Sequence, residues 1–533
     1  MVVGRLGFDG LLVVIVIVIV VLLGQQTVQT ANILAVFSYA LGSSYVLVTP
    51  YIQQLVSRGH RVTMISAPVT YMPDIEGVQH IRVAKLKELT EDLEIYEYEA
   101  AVPTKWYEAS FIADYFYNCS KLILEDAGVR SLLHNASAQF SMVVLGVPHT
   151  DALYGFGKHY NASLVGLAAY GGAWNIDFLA GNSAPSVYEP MSASGFTAGL
   201  SFFEKWINLI FISEERLVER FIYLPRQLKL YKRHFAADSS SLLEMRRKFS
   251  LILLNQHFSL GRVRSNVPNL VEVGGMHLAQ LAEPLGAELQ SFLDGATDGA
   301  IYFSMASDML EKWFPPDFHE TMLTAFGQLK QRVVWTTKRQ ESEITSNNVY
   351  IRRRQPQREV LHHPNVKLFI TQGGLLSLIE ASYYAVPVLM LPVYFDQHIN
   401  AERMERLGIG RCLNFHELTP KVVLEGIQEM LHNASYALNA RELALRFRDQ
   451  PMKPMETAVW WTEYVLRHKG ADHMRINEQD MSLMQYYSVD LFSVLFGRIG
   501  LTALIVGFLA YTVATIALQS AHYLFKLSIP VVS

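Results

Sequence analysis

The sequence is poor in cysteine: Cys119 and Cys412 are the only two in 533 residues, and they fall in different halves. That scarcity excludes a disulfide framework and leaves two buried or idle thiols as the expectation. Excess positive charge is missing as well. The net charge is −4, which argues against nucleic acid as a partner. Long uncharged apolar runs lie only towards the two ends. The first, Leu11 to Leu23, follows the single early cation Arg5; it suits a signal-peptide core and is short for a spanning helix. No clean small-x-small cleavage site follows Gly24, so the leader is assigned broadly to residues 1–31. The second run, Ile499 to Leu518, is long enough to cross a bilayer, within a membrane region expected over 491–518 and ahead of a short tail, 519–533. Flanking cations are too few to orient it: Arg498 precedes it and only Lys526 and His522 follow. The leader must therefore set the topology, a single-pass type I protein of the endoplasmic reticulum membrane with a lumenal body and a cytosolic tail. Acceptor triplets for N-glycosylation at Asn118, Asn135, Asn161 and Asn433 agree with that placement.

Half of the residues are hydrophobic, enough for two α/β cores of ordinary size. Ile33–Phe37 reads as a buried strand, Tyr45–Arg58 as an amphipathic helix capped by Gly59, and Arg61–Ile65 as the next strand. Phe140–Leu145 is a further strand. The stretch from Gly171 to Leu230 is rich in aromatics, among them Trp174, Phe178, Phe202, Phe203 and Trp206, expected in a core, at a membrane, or in part around an apolar ligand. Turn residues through Asn266–Gly286 read as a linker. A second alternation follows, with strands at Ala300–Ser304, Val333–Trp335, Val366–Ile370 and Val388–Leu391. The expected fold is α/β: two Rossmann-like doubly wound domains facing a cleft, an N-terminal domain over 32–265, a linker over 266–290 and a C-terminal domain over 291–485.

The segment from Val366 to Glu380 combines a strand, the turn Gln372-Gly373-Gly374 and a helix; Pro387–Pro392 and the acidic loop Asp396-Gln397 follow. A strand, glycine turn and helix aim free backbone N–H groups beyond the strand end, where a phosphate is the usual occupant.

Around that unit the chain resembles the animal, insect-type membrane-bound UDP-glycosyltransferases. The resemblance rests on Pro356-Gln357, His363-Pro364, Phe369-Ile-Thr-x-Gly-Gly374, Glu380-Ala381, Val386-Pro387, Asp396-Gln397 with Asn400, and Ala458-Val-Trp-Trp-Thr-Glu-Tyr-Val465, in order. It implies a GT-B fold and transfer of a hexose, glucose by insect resemblance, from a UDP-sugar to a small lipophilic acceptor with inversion and without a required metal or cofactor. By the same resemblance Gly373, Gly374 and Ser377 face the diphosphate, Glu380 accepts from ribose hydroxyls, Gln357 touches the nucleoside, and Asp396 and Gln397 hold the sugar. A homo- or hetero-oligomer is compatible with it.

The departures fall on the chemistry. The family's base, a His after a Ser at the start of the first helix, corresponds to Ser44, and its orienting Asp corresponds to Gly146. A positioned base is worth about 10²–10⁴-fold, and serine cannot replace it unaided. His149 and Asp151, just beyond, are the candidates for a relocated pair, although a loop His near an acid is usually incidental. On the donor side Arg354 stands for the uracil-stacking Trp, Gln372 for a His, and Ala306 for a Gly in the turn that carries Ser307; Ala385 stands for a Gly before Val386-Pro387. A guanidinium can stack on a base and an amide can donate to a phosphate. Two readings result: an enzyme of weak or base-independent activity, favoured by acidic acceptors, or a pseudoenzyme serving as a nucleotide-sugar-binding or partner subunit.

Overall fold

The computed structural model describes residues 30–39, 42–68, 74–91, 105–182, 200–235, 239–261, 264–279, 284–305, 314–337, 348–352, 355–393, 396–475 and 489–527. The leader segment up to Gln29, together with Ser307 and Arg354, lies outside them. The chain separates into two units, Met1–Arg475 and Ile476–Ser533.

The first unit holds two parallel sheets. One contains β1 (Asn32–Val36), β2 (Arg61–Ser66), β3 (Val78–Arg82), β4 (Met142–Gly146), β5 (Ser163–Ala168), β6 (Phe249–Leu254) and β7 (Leu270–Glu272), in the order β3-β2-β1-β4-β5-β6-β7. The other contains β8 (Ala300–Ser304), β9 (Arg332–Thr336), β10 (Val349–Arg352), β11 (Val366–Thr371), β12 (Val388–Met390) and β13 (Gly410–Cys412), in the order β10-β9-β8-β11-β12-β13. Both are covered on both faces, which explains near-continuous apolar runs such as Met142–Gly146 and Val388–Met390. In β1, Leu34 and Val36 enter one cluster while Ile33 and Ala35 enter another. In β11, Leu368 and Ile370 face one side and Val366 and Phe369 the other. Each sheet reverses its strand order once, between β1 and β4 and between β8 and β11. Such switch points open crevices beyond the carboxyl ends of the strands, where ligands bind in doubly wound folds.

Residues 266–290 contain the edge strand β7, paired in parallel with β6, and the start of the Ala287–Asp294 helix. The chain also returns to the first sheet at its far end. The Pro454–His468 helix, with proline in its first turn, puts Met455, Ala458, Val459 and Val465 into the apolar cluster built on Ile33, Ala35 and Phe37. The Tyr51 hydroxyl meets Thr462 Oγ1 at 2.7 Å, and Thr462 in turn donates to the Ala458 carbonyl.

Among the anticipated aromatics, Trp174 Nε1 donates to Glu215, and Phe178 lies under the Arg246 guanidinium at 4.7 Å. Phe202, Phe203 and Trp206 are exposed on the Phe202–Val218 helix. Asn135, Asn161 and Asn433 lie beside helix ends or turns and Asn118 within the Lys105–Glu125 helix, next to buried Cys119 and Ser120; all four are exposed. The described residues of the second unit form one helix, Val489–Leu527, longer than the apolar run that marks it in the sequence. Leu491–Phe525 is long and apolar enough to cross a membrane.

Candidate active site

At the switch point of the second sheet, β11 ends at Thr371 and the backbone turns through Gly373 at φ +91°. Only glycine adopts that angle without strain, and a Cβ there would sit 3.3 Å from the Gln397 carbonyl. The turn leaves Gly374 as the N-cap of the nine-residue Leu375–Tyr383 helix, which no side chain caps. Its first N–H groups therefore lack a side-chain acceptor. Gln372 is buried beside the turn with its Oε1 unpartnered; an amide's O and N are interchangeable assignments, so this group can offer a donor to an anion.

Ser377 and Glu380 share one face of that helix, three residues apart. Gln357, opening the Gln357–His362 helix, donates from Nε2 to Ser377 Oγ at 3.1 Å and to Glu380 Oε2 at 2.7 Å. On the far side of the turn Asn400 donates from Nδ2 to the Gly373 carbonyl at 3.2 Å and to Asp396 Oδ2 at 2.7 Å, tying the glycine turn to the acid. Burial raises the Asp396 carboxyl above its ordinary range, and the Asn400 bond opposes it. Gln397 accepts from the Val393 N–H through Oε1 at 2.8 Å. Gln357, Gln372, Gly373, Gly374, Ser377, Glu380, Asp396 and Gln397 are thus gathered around one strand end.

The switch point of the first sheet is furnished differently. Ser44, in the first turn of the Gly42–Ser57 helix, is buried, and Gly146 ends β4. The space a side chain at 146 would need is occupied: a Cβ there would lie 2.7 Å from Tyr39 Cε1 and 3.2 Å from the Tyr39 hydroxyl. Tyr39 is locked between Phe37 and Tyr45, with ring centroids 5.9 and 5.7 Å away. The Tyr45 hydroxyl donates to the Tyr39 carbonyl at 2.9 Å, while the Tyr39 hydroxyl is buried without a partner. Desolvation raises the Tyr39 phenol well above its ordinary range, so it stays protonated. Tyr170, just after β5, keeps 44% of its surface accessible and lies beside Ser44. Burial raises that phenol too, the Ser44 bond opposes it, and the Asp396 carboxylate across the cleft adds to the rise.

His149 and Asp151 are not brought together. Asp151 is buried against Arg246, Nε to Oδ1 at 2.6 Å, and accepts from the Tyr223 hydroxyl. His149, at φ +75°, meets Asn175 Nδ2 at 2.9 Å through Nε2 and stacks on Phe116. Burial, aided by the Arg246 charge, lowers its pKa to about 4. The acid is committed to an internal ion pair and the ring to an amide and an aromatic face, so the two do not form a relay.

Residues 34–521 match the profile of a family described as UDP-glucoronosyl and UDP-glucosyl transferase. The chain belongs to the UDP-glycosyltransferase family. UDP-glycosyltransferase UGT5 of Dactylopius coccus is 32% identical over 476 residues, covering 87% of this chain and 88% of that protein. UDP-glucuronosyltransferase 2A3 of Cavia porcellus is 26% identical over 484 residues, 85% and 88% of the two chains. Among solved structures, the glycosyltransferase VinC in complex with dTDP aligns with a TM-score of 0.55 at 15% identity, over 82% of this chain and all of that one, a likeness of fold. This UDP-glycosyltransferase therefore has the GT-B architecture expected from its sequence.

Three residues of the UDP-glycosyltransferase cleft escape the sequence reading. Tyr39 and Tyr170 line the first switch point. His277, in the Met276–Ala279 turn, places Nε2 3.2 Å from Glu380 Oε1 across 103 positions of sequence. No local pattern signals a contact at that separation.

Proposed function

We propose that this protein transfers a hexose, glucose by its similarity to insect-type relatives, from a UDP-sugar to a small lipophilic acceptor. The observation that carries the reading is the uncapped glycine-turn helix with Gln357, Ser377 and Glu380 on one side and Asp396 and Gln397 on the other. Gly373, Gly374 and the first N–H groups of the Leu375–Tyr383 helix receive the diphosphate, and the same donors stabilise charge on UDP as it leaves. Glu380 takes the ribose hydroxyls, Gln357 the nucleoside, and Asp396 with Gln397 the sugar; Ser307 and Arg354 complete the donor set in this reading. The Val489–Leu527 helix anchors a body that lies in the lumen of the endoplasmic reticulum.

Transfer proceeds without a protein base. An acceptor that arrives ionised, a carboxylate or an acidic phenol, attacks the anomeric carbon with its own oxygen. The bond from that carbon to the diphosphate oxygen breaks, UDP departs with the electron pair, and no proton moves. Alcohols, which must lose a proton, react slowly. A second reading is supported by Tyr39 at Gly146: a base partner's place is filled by an inert ring, as in a nucleotide-sugar-binding subunit that does not turn over.

One experiment separates these readings. The full-length protein in detergent is melted with and without UDP and UDP-glucose, then assayed with a carboxylic acid, a phenol and an aliphatic alcohol. At a hundred times Kd, ligand contributes about 2.7 kcal/mol of stability. Stabilisation with transfer to the acidic acceptors supports the enzyme; stabilisation without transfer to any acceptor supports the binding subunit; no stabilisation by either nucleotide sinks both.

A further inference from the structure

Glu380 is held from two directions. Gln357 Nε2 donates to Oε2 at 2.7 Å, and His277 Nε2 lies 3.2 Å from Oε1. The two donors have different origins. Gln357 belongs to the second sheet's own helices, whereas His277 sits in the short turn that carries the chain from one core to the other. Its neighbour Met276 is buried in the apolar cluster of the first sheet, and Leu278 in that of the second. The His277 carbonyl is itself pinned by Arg358, Nη1 to O at 2.9 Å. At 1% exposure, His277 has nowhere else to go.

The ring's hydrogen bonds fix its tautomer. Nδ1 is buried with no partner, and an orphaned lone pair there is less costly than an orphaned N–H beside an Nε2 facing a carboxylate. Nε2 thus carries the hydrogen and donates to Oε1. Each carboxylate oxygen then has one fixed donor and retains lone pairs for another. That geometry suits two adjacent hydroxyl groups, each approaching one oxygen.

We propose that His277 is a positioning residue of the donor site, holding the Glu380 carboxylate in the orientation that receives the vicinal ribose hydroxyls of a uridine nucleotide. The inference rests on the reading of Glu380 as the ribose acceptor. It assigns to the turn between the sheets a part in nucleotide affinity, because the same three residues stitch the two cores together.

The test measures binding of UDP and of 2′-deoxy-UDP to the full-length protein and its His277 variants by calorimetry. The wild type is expected to prefer UDP. In His277→Ala, UDP affinity falls about tenfold or more, the scale of a hydrogen bond to a charged group, and the preference over the deoxy nucleotide collapses. His277→Gln, whose amide nitrogen reaches the Nε2 position, retains UDP affinity within about threefold, whereas His277→Asn, whose amide stops at the Nδ1 position, does not. Turnover, where present, shows the change in the KM for UDP-sugar with kcat little altered. A merely structural histidine would weaken both nucleotides equally and would lower Tm alike in the Gln and Asn variants. That outcome, or a wild-type UDP preference in His277→Ala, overturns the proposal while leaving the nucleotide site intact. A wild type that binds neither nucleotide overturns the nucleotide site itself and the proposal with it. The Gln and Asn pair decides the matter if the Ala variant fails to fold.

Discussion

The two switch points have the same backbone plan and opposite furnishings. In the second sheet the crevice beyond β11 is lined by a glycine turn, an uncapped helix and polar side chains bonded to one another but still able to accept or donate. In the first, the crevice beyond β1 and β4 is lined by Ser44, by Gly146 and by the rings of Tyr39, Tyr45 and Tyr170. Doubly wound topology supplies a place for a ligand, and side chains decide whether that place holds, reacts or is sealed. Family membership speaks for the whole chain, yet in this member the second crevice carries a connected set of polar side chains while the first carries Ser44, Gly146 and tyrosine rings.

The sharpest way to break the contrast is to refurnish the first crevice. Ser44→His with Gly146→Asp and Tyr39→Ala is expected to raise transfer to aliphatic alcohols by about 10²-fold or more, the scale of a positioned base; steady-state rates against the wild type give the answer. Next in size is damage to the second crevice. Gly373→Ala forces a Cβ into a left-handed turn against the Gln397 carbonyl, and calorimetry should record a loss of UDP affinity of at least about tenfold. Ser44→Ala in the same assay should leave UDP affinity unchanged.

Gly146→Asp alone tests whether Tyr39 truly fills the space. The added carboxyl meets the ring at once, so a destabilisation of about 1–3 kcal/mol is expected from overpacking, read as a lower Tm that Tyr39→Ala restores. The smallest effect concerns pH. With the His149 pKa lowered to about 4 by burial, the unfolded chain takes up a proton near pH 6.5 that the folded chain refuses. Its contribution is therefore complete above about pH 6.5 and is lost as pH falls towards 4. His149→Gln should flatten the Tm profile between pH 7.5 and 5 without altering UDP affinity.

Much of this contrast is legible in the sequence, and for a physical reason. β1, β2, β8, β11 and β12 are short apolar runs between turn residues, and the glycine turn, Glu380 and Asp396 lie within a few tens of residues of one another, so local pattern carries them. β3 is half-exposed at a sheet edge, and β7 and β13 are three residues long with one buried position each, unlike the wholly buried β12. β6 is wholly buried and apolar but for Ser250, and periodicity alone cannot tell such a run from a buried helix segment. That positions 44 and 146 carry a serine and a glycine, with neither an imidazole nor a carboxylate, is visible in one dimension. That Tyr39 fills the gap, and that His277 reaches Glu380, are matters of packing between segments that the sequence keeps apart.

The helix that closes the first unit has a bearing on how such proteins can be recombined. Pro454–His468 follows the whole second sheet in the chain, yet Met455, Ala458 and Val459 complete the core of the first, with Tyr51 and Thr462 joined across it. A chimera cut in the turn around His277, exchanging acceptor halves between relatives, would inherit one parent's first sheet and the other parent's closing helix. Its success should depend less on the cut than on whether those few terminal side chains are exchanged together with the sheet they cover.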